Sequence, residues 1–351
     1  MRNRNRVAPA ANGSNHQTRP DAGFTVIEIT VGVVVFTIVM GAIYGLLMVA
    51  RGGRLNTNQR SEILQNARIA INTMSRDAIN AGVGYPNLGA TLPDDRLATI
   101  MGGTADTDTD ADVLTPVFAR NGAQTINGVA TDQITFLFID DTFNAGASLP
   151  IAEIRNQGAE LGIATGFNNA PCTQGDIYIV TGQNGSALGM FHDGGSEIAG
   201  TNTDKITFAA NDALLIDNPG ATSPIANITA PASLQRVSWV SYFLVPDVGT
   251  DAGTGVLIRR MHGGTTGWVD QPLAFGIENL QIQYVLLDGS VVDVPAAGQM
   301  DDIRQVRLSV SVRSPDSDPN APRDPVTGQH LPFRTTLTST FSTRNLVYEK
   351  I

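Results

Sequence analysis

The 351-residue chain holds one cysteine, Cys172, which excludes both an intrachain disulfide and a cysteine-built zinc site. Charged residues are scarce at 16% and tilted acidic, with 23 Lys and Arg against 33 Asp and Glu. A basic face for non-specific nucleic-acid binding has no compositional support, so nucleic acid is not an expected partner. Only four histidines occur, His16, His192, His262 and His330, and they are scattered. No His-Glu-x-x-His pair, nucleophile elbow, phosphate loop or dinucleotide fingerprint is present, and Gly194-Gly195 and Gly263-Gly264 read as hairpin turns. The expectation is a protein that is not an enzyme and carries no resident cofactor. Aromatics are few at 6%, whereas 36 Gly and 18 Pro imply many turns, as β-rich exported proteins have. A hydrophobic share of 42% excludes a wholly disordered polymer, and a mean hydropathy near zero excludes a polytopic membrane protein.

Long apolar runs are also lacking, with one exception. Ile29 to Ala50 is uncharged over roughly 22 residues, about the length that crosses a hydrocarbon core as a helix. Arg2, Arg4, Arg6 and Arg19 precede it, which places the N-terminus in the cytoplasm and everything after Arg51 outside. No small-x-small cleavage site follows the run, and Arg51-Gly52-Gly53-Arg54 reads as a membrane exit rather than the end of a secretory signal. Glu28 lies about one turn inside the segment that begins at Phe24, where a carboxylate needs a partner.

Gly23-Phe24-Thr25-Val26-Ile27-Glu28, behind a basic leader and ahead of an apolar run, resembles the processing motif of type IV prepilins. The resemblance implies cleavage after Gly23 by a prepilin peptidase, N-methylation of Phe24, and pairing of Glu28 with the N-terminal amine of a neighbouring subunit. The chemistry suits these residues: cleavage creates an ammonium beside an apolar stripe, with a carboxylate near enough to neutralise it. Such a buried pair fixes register better than it stabilises, because a misaligned neighbour strands a charge in a dry core. Four arginines and one aspartate leave with the leader, so a net charge of -10 becomes -13. Gly41 and Gly45 form a small-xxx-small pair that permits close approach of another helix.

Four regions follow. Residues 1–23 are the leader, 24–53 the transmembrane half of an N-terminal helix, 54–82 its amphipathic half, and 83–351 a β-rich head. Ile63, Ala67, Ala70, Ile71, Met74, Ala78 and Ala81 recur in steps of three and four and mark one helix face, ended by Gly82, Gly84 and Pro86. Gly52-Gly53 is either a weak point between the helix halves or a tolerated surface pair. Arg76 and Asp77 read as a surface charge pair on that helix, with pairing to a neighbour as the alternative. Strands are expected at 133–139, 176–181, 188–192, 205–209, 237–245, 256–261, 273–287, 303–312 and 334–346, the clearest alternating Val306, Leu308, Val310 and Val312 with polar residues. The fold class is therefore α+β, a long helix packed on antiparallel sheet. Trp239, Trp268 and Tyr242 are assigned to core packing, with a binding patch as the alternative. Loops at about 94–112, 210–233 and 314–332 are too long for turns and are either binding insertions or decorations. In the first, Asp106, Asp108, Asp110 and Asp112 alternate with Thr and Ala, but Ala111 and Val117 stand where an EF-hand needs Gly and Glu. That stretch is read as a solvated acidic loop, with a looser calcium site as its alternative.

The stretch Ala67-Arg68 through Met74-Ser75-Arg76-Asp77 to Ala81-Gly82 is similar to the post-anchor segment of PilW-type minor pilins. Gly276 to Tyr284, the strand 306–312 and Arg344-Asn345 are similar to the C-terminal half of the same group and of the J-type pseudopilins of type II secretion. The middle, about 89–233, resembles no family. The resemblance implies a low-copy pilus subunit that primes assembly and stays at the tip, with other minor pilins, a major pilin and an inner-membrane assembly platform as partners. It implies an inner-membrane stage with the head outside the cytoplasm, followed by the pilus or cell surface. Two alternatives stand beside it: a pseudopilin of a type II secretion system, and an adhesin or ligand-binding protein on a pilin anchor.

Overall fold

The computed structural model describes residues 23–101, 111–164, 166–167, 171–195, 204–208, 214, 216, 223–248, 253–296, 299, 302–319 and 321–343. Two compact units divide the chain, 1–56 and 57–351. The elements are α1 (Val26–Asn80), β1 (Ala90–Thr91), α2 (Arg96–Met101), β2 (Val113–Leu114), β3 (Val117–Ile126), β4 (Val129–Ile139), β5 (Leu149–Arg155), β6 (Glu160–Ile163), β7 (Ile177–Gly182), β8 (Gly185–Gly195), β9 (Lys205–Phe208), β10 (Ala232–Pro246), β11 (Gly255–His262), β12 (Trp268–Leu286), β13 (Val291–Val292), β14 (Ile303–Ser317) and β15 (Pro332–Ser342). The class is α+β, with one long N-terminal helix and mostly antiparallel strands.

The first unit is the leading half of α1, long and apolar enough to cross a membrane. Its described side chains are exposed throughout. Helical backbone continues across Gly52-Gly53.

In the second unit the seven expected helix positions, Ile63 to Ala81, are all buried and share one core with the sheet. Three of those on α1 itself are alanines, Ala67, Ala70 and Ala78, which bring the helix backbone close to the strands. The helix ends as expected: Gly82 and Gly84 take φ of 79° and 68°, a region only glycine enters cheaply. The chain after it joins β4, the Gly82 amide donating to the Leu137 carbonyl at 2.8 Å. Facing the helix is an antiparallel sheet in the order β15-β14-β12-β11-β10-β4-β3. Its inner face carries Leu280, Ile282, Val306, Leu308, Val310 and Val312, each contributing about 1.5–3 kcal/mol by leaving water.

The middle of the chain folds into something the strand pattern left unread. From β10 the pairings run to β5, β6, β9, β8, β7 and back to β10, every one antiparallel. Six strands thus close on themselves as a small barrel inserted between β4 and the second half of β10. Leu149, Ile151, Leu161, Ile163, Tyr178, Val180, Phe191, Ile206, Phe208 and Leu234 fill it, as small barrels require. Closure leaves it without an exposed edge. The alternate residues Ile177, Ile179, Leu188 and Met190 pack outward against Trp239 and Leu92.

Several expected boundaries move. The strands β3, β5 and β6 lie where no strand was expected, and β10 starts at Ala232 rather than 237. The first long loop contains α2, and the third opens with the end of β14 and holds a bridge between Arg323 and His330. The described part of 210–233 is structural: Ile216, Ser223 and Ile225 are fully buried, and Pro224–Asn227 forms a short 3-10 turn against the barrel.

Candidate assembly site

Thr25 occupies the N-cap of α1. Its amide and its hydroxyl each donate to Glu28 Oε2 at 3.0 Å, while the Glu28 amide donates to Thr25 Oγ1 at 3.3 Å. This reciprocal arrangement is a capping box, which satisfies amides that the first turn of a helix leaves open. The Thr-x-x-Glu spacing was readable in the sequence, and the expectation of a carboxylate waiting only for a neighbour overlooked it. Phe24 stands just outside the cap and is 83% exposed. From there to Val49 the apolar side chains form an uncovered rod, and a Cβ added at Gly41 or Gly45 would meet nothing within 4 Å. So much apolar surface in water costs about 25 cal/mol per Å2, so the rod requires lipid or other helices around it.

The lower half of α1 is fastened to its sheet by charge as well as by packing. Asp77 is 7% exposed, which corrects its reading as a surface partner of Arg76. Its Oδ2 accepts from the Tyr242 hydroxyl at 2.5 Å and pairs with Arg259 Nη2 at 2.9 Å. Burial raises the Tyr242 pKa, and the Asp77 charge adds to the rise, so the phenol stays a donor. Burial pulls Arg259 down, but Asp77 and Tyr242 outweigh it and the guanidinium is held charged. Near the start of the second unit, Arg60 pairs with Asp318 and lies over the Phe333 ring at 4.8 Å, and Gln59 donates to Asp316 at 2.5 Å. The root of the third long loop therefore grips the helix.

Where β10 leaves the barrel, Arg236 reaches Asp140 at 2.7 Å, Asp176 at 3.2 Å and the Thr142 hydroxyl at 2.9 Å. Burial works against the charge of Asp140, but hydrogen bonds from Thr142 and the Arg236 charge hold its pKa below the usual value. Nearby, burial pushes the Cys172 thiol up to about 12, which keeps it protonated and unreactive at neutral pH. Burial also lowers His262, whose ring meets Trp268 edge-on at 5.2 Å. Trp239 and Tyr242 are core residues, as assigned, while Trp268 is half-buried.

Asp106, Asp108 and Asp110 lie outside the described residues. Asp112 is described, and its Oδ2 accepts from the Leu97 amide at 2.7 Å in the first turn of α2, which gives it a local role. Among the described residues no three acidic, histidine or cysteine side chains converge as metal ligands. No family model, curated protein or solved structure matches the chain.

Proposed function

We propose that this chain is a minor type IV pilin of the PilW type, anchored in the inner membrane before assembly and then drawn into a pilus, where it primes assembly at the tip. The reading rests on the coincidence of a basic leader, Gly23-Phe24, Glu28 and an apolar helix that begins three residues after the cleavage point. The α+β head is consistent with it. In this reading the head sits outside the cytoplasm, prepilin peptidase supplies the mature end, and the chain works through complementary surfaces with minor and major pilins and the assembly platform. Glu28 would then have two roles, capping its own helix before assembly and neutralising a neighbour's ammonium after it. Mass spectrometry of chains recovered from filaments tests the proposal. The expected N-terminus is a methylated Phe24, and a mature chain starting upstream of it overturns the reading.

The closed barrel favours a second role for the same subunit, presentation of a surface module. A barrel without free edges can project from a filament without pairing with its neighbours. Variants of half-buried, outward-facing barrel residues such as Arg155→Ala with Lys205→Ala, which pair with Glu153 and Glu160, should then leave pili intact while attachment falls; unchanged attachment removes that second role.

A further inference from the structure

The two ends of the sheet are guarded very differently. At one end, β3 pairs with β4 through a register shift between Arg120 and Gln124, with Gly122 at φ 62°. The Gly122 amide is taken by the Asp132 carboxylate at 2.9 Å. A bulge of this kind, with a charge beside it, is how sheets discourage pairing with another chain. At the other end, β15 pairs with β14 alone among the described strands, in uninterrupted register from Arg334 to Ser342. From Thr335 to Ser342 it holds no charge, proline or glycine, and its Thr and Phe residues favour extended backbone. Phe333, Leu337 and Phe341 are only half-buried against the core.

The sequence of this bare edge reads nearly the same in both directions about Leu337. On the face toward the core stand Phe333, Thr335, Leu337, Ser339 and Phe341; on the outer face stand Arg334, Thr336, Thr338 and Thr340, all exposed. Antiparallel pairing with an identical strand about a two-fold axis at Leu337 sets Phe333 against the second copy's Phe341, Thr335 against Ser339, Leu337 against Leu337, and Thr336 against Thr338. Aromatic meets aromatic and hydroxyl meets hydroxyl, the pairs that stabilise adjacent strands. The single charge, Arg334, falls opposite Thr340, so the two arginines sit at opposite ends of the seam and do not repel.

We propose that the β15 edge is a homodimer seam, joining two copies of this chain into one continuous antiparallel sheet across a two-fold axis at Leu337. The observation is independent of the pilin reading and does not need it. It is also isologous, so it closes at two copies and does not propagate.

The full chain in detergent micelles, followed by sedimentation, tests the seam with two double variants on the exposed face. Thr336→Lys with Thr338→Lys sets lysine against lysine twice across the axis and should weaken dimerisation by at least about tenfold. Thr336→Glu with Thr338→Lys sets glutamate against lysine twice in the same register and should restore it. As a second readout, a Cys172→Ser chain carrying Thr336→Cys and Thr338→Cys should oxidise in the same micelles to a covalent dimer linked through the seam. A monomeric wild-type chain, or a dimer that survives the double lysine variant and forms no cross-link, overturns the proposal.

Discussion

Asp77 on α1 and Arg259 on β11 meet at 2.9 Å where the helix lies on the sheet, and the Tyr242 hydroxyl shares the same carboxylate oxygen at 2.5 Å. The aspartate sits among Met74, Ala78 and Ala81, on the face that packing alone would fill with apolar side chains. A charge placed there specifies the rotation of the helix, because turning it by one residue would strand both Asp77 and Arg259.

Replacing Asp77 with alanine leaves Arg259 charged and unpaired, with only 18% of its side chain exposed. Breaking one half of a buried pair costs roughly 3–5 kcal/mol, and the residual exposure of Arg259 points to the lower end. Urea unfolding of the full chain in detergent, followed by the fluorescence of Trp239 and Trp268, should show that loss, and Asp77→Asn should recover part of it through the hydrogen bond to Tyr242. Equal stability of Asp77→Ala and the parent would remove the locking role.

The helix was legible because its period of three and four is written in Ala67, Ala70, Met74 and Ala78, and each lies where the period puts it. The role of Asp77 was not, since an acidic residue next to an arginine on a helix looks the same whether its partner is Arg76 or a residue 182 positions away. The alternating strand 306–312 was readable because one face is dry. Barrel closure was hidden for a different reason: β5 and β6 are short and were not expected as strands, and without them the expected strands at 176–181, 188–192 and 205–209 cannot be joined into a ring. A Cβ at Gly162 would meet Glu153 at 2.6 Å, and one at Gly189 would meet Ile225 at 2.9 Å. Gly189 makes room for the Ile225 and Phe208 side chains inside the barrel, whereas Gly162 makes room for Glu153, its cross-strand partner on the outer face.

Gly189→Val should therefore damage the barrel selectively. The new side chain collides with Ile225 and with the Phe208 ring, at 3.1 Å from its Cβ, and overpacking of this kind costs about 1–3 kcal/mol. Hydrogen exchange should show lost protection in β7, β8 and β9 while β12 and β14 keep theirs. Uniform loss across both groups would mean that barrel and sheet unfold as one body.

Asp132 links the fold to pH in the opposite sense to most of the paired carboxylates. Its two oxygens accept from the Gly122 amide at 2.9 Å and the Ile282 amide at 2.8 Å, tying β4 to both β3 and β12. Burial raises its pKa above the ordinary 3.8, and these hydrogen bonds only partly offset the rise. A raised carboxyl favours the fold fully below 3.8 and loses that contribution as pH climbs through the folded value. Asp140 and Asp270, both lowered, behave in the opposite sense: their contribution is present above 3.8 and lost as pH falls through their folded values. Asp132→Asn presents an amide where one of two acceptors was needed and should cost about 1–3 kcal/mol. The deficit should be largest near pH 4 and shrink as pH rises, in urea unfolding repeated across that range; a deficit that grows with pH would show that the carboxylate, not its protonated form, is preferred in the fold.

Glu28 separates capping from charge. A capping box needs an acceptor three residues after the N-cap, and glutamine serves there nearly as well as glutamate. Neutralising an ammonium needs a negative charge, which glutamine lacks. Glu28→Gln should thus keep the first turn of α1 intact, with normal membrane insertion and cleavage after Gly23, yet fail to join filaments. Thr25→Ala keeps the charge while removing the hydroxyl that both donates to Glu28 and accepts its amide, so it should loosen the first turn and still allow incorporation. Filament content of the two variants, measured by immunoblot of sheared pili against membrane fractions, decides the matter. If Glu28→Gln assembles normally, the carboxylate serves its own helix and the pairing between subunits has no part in register.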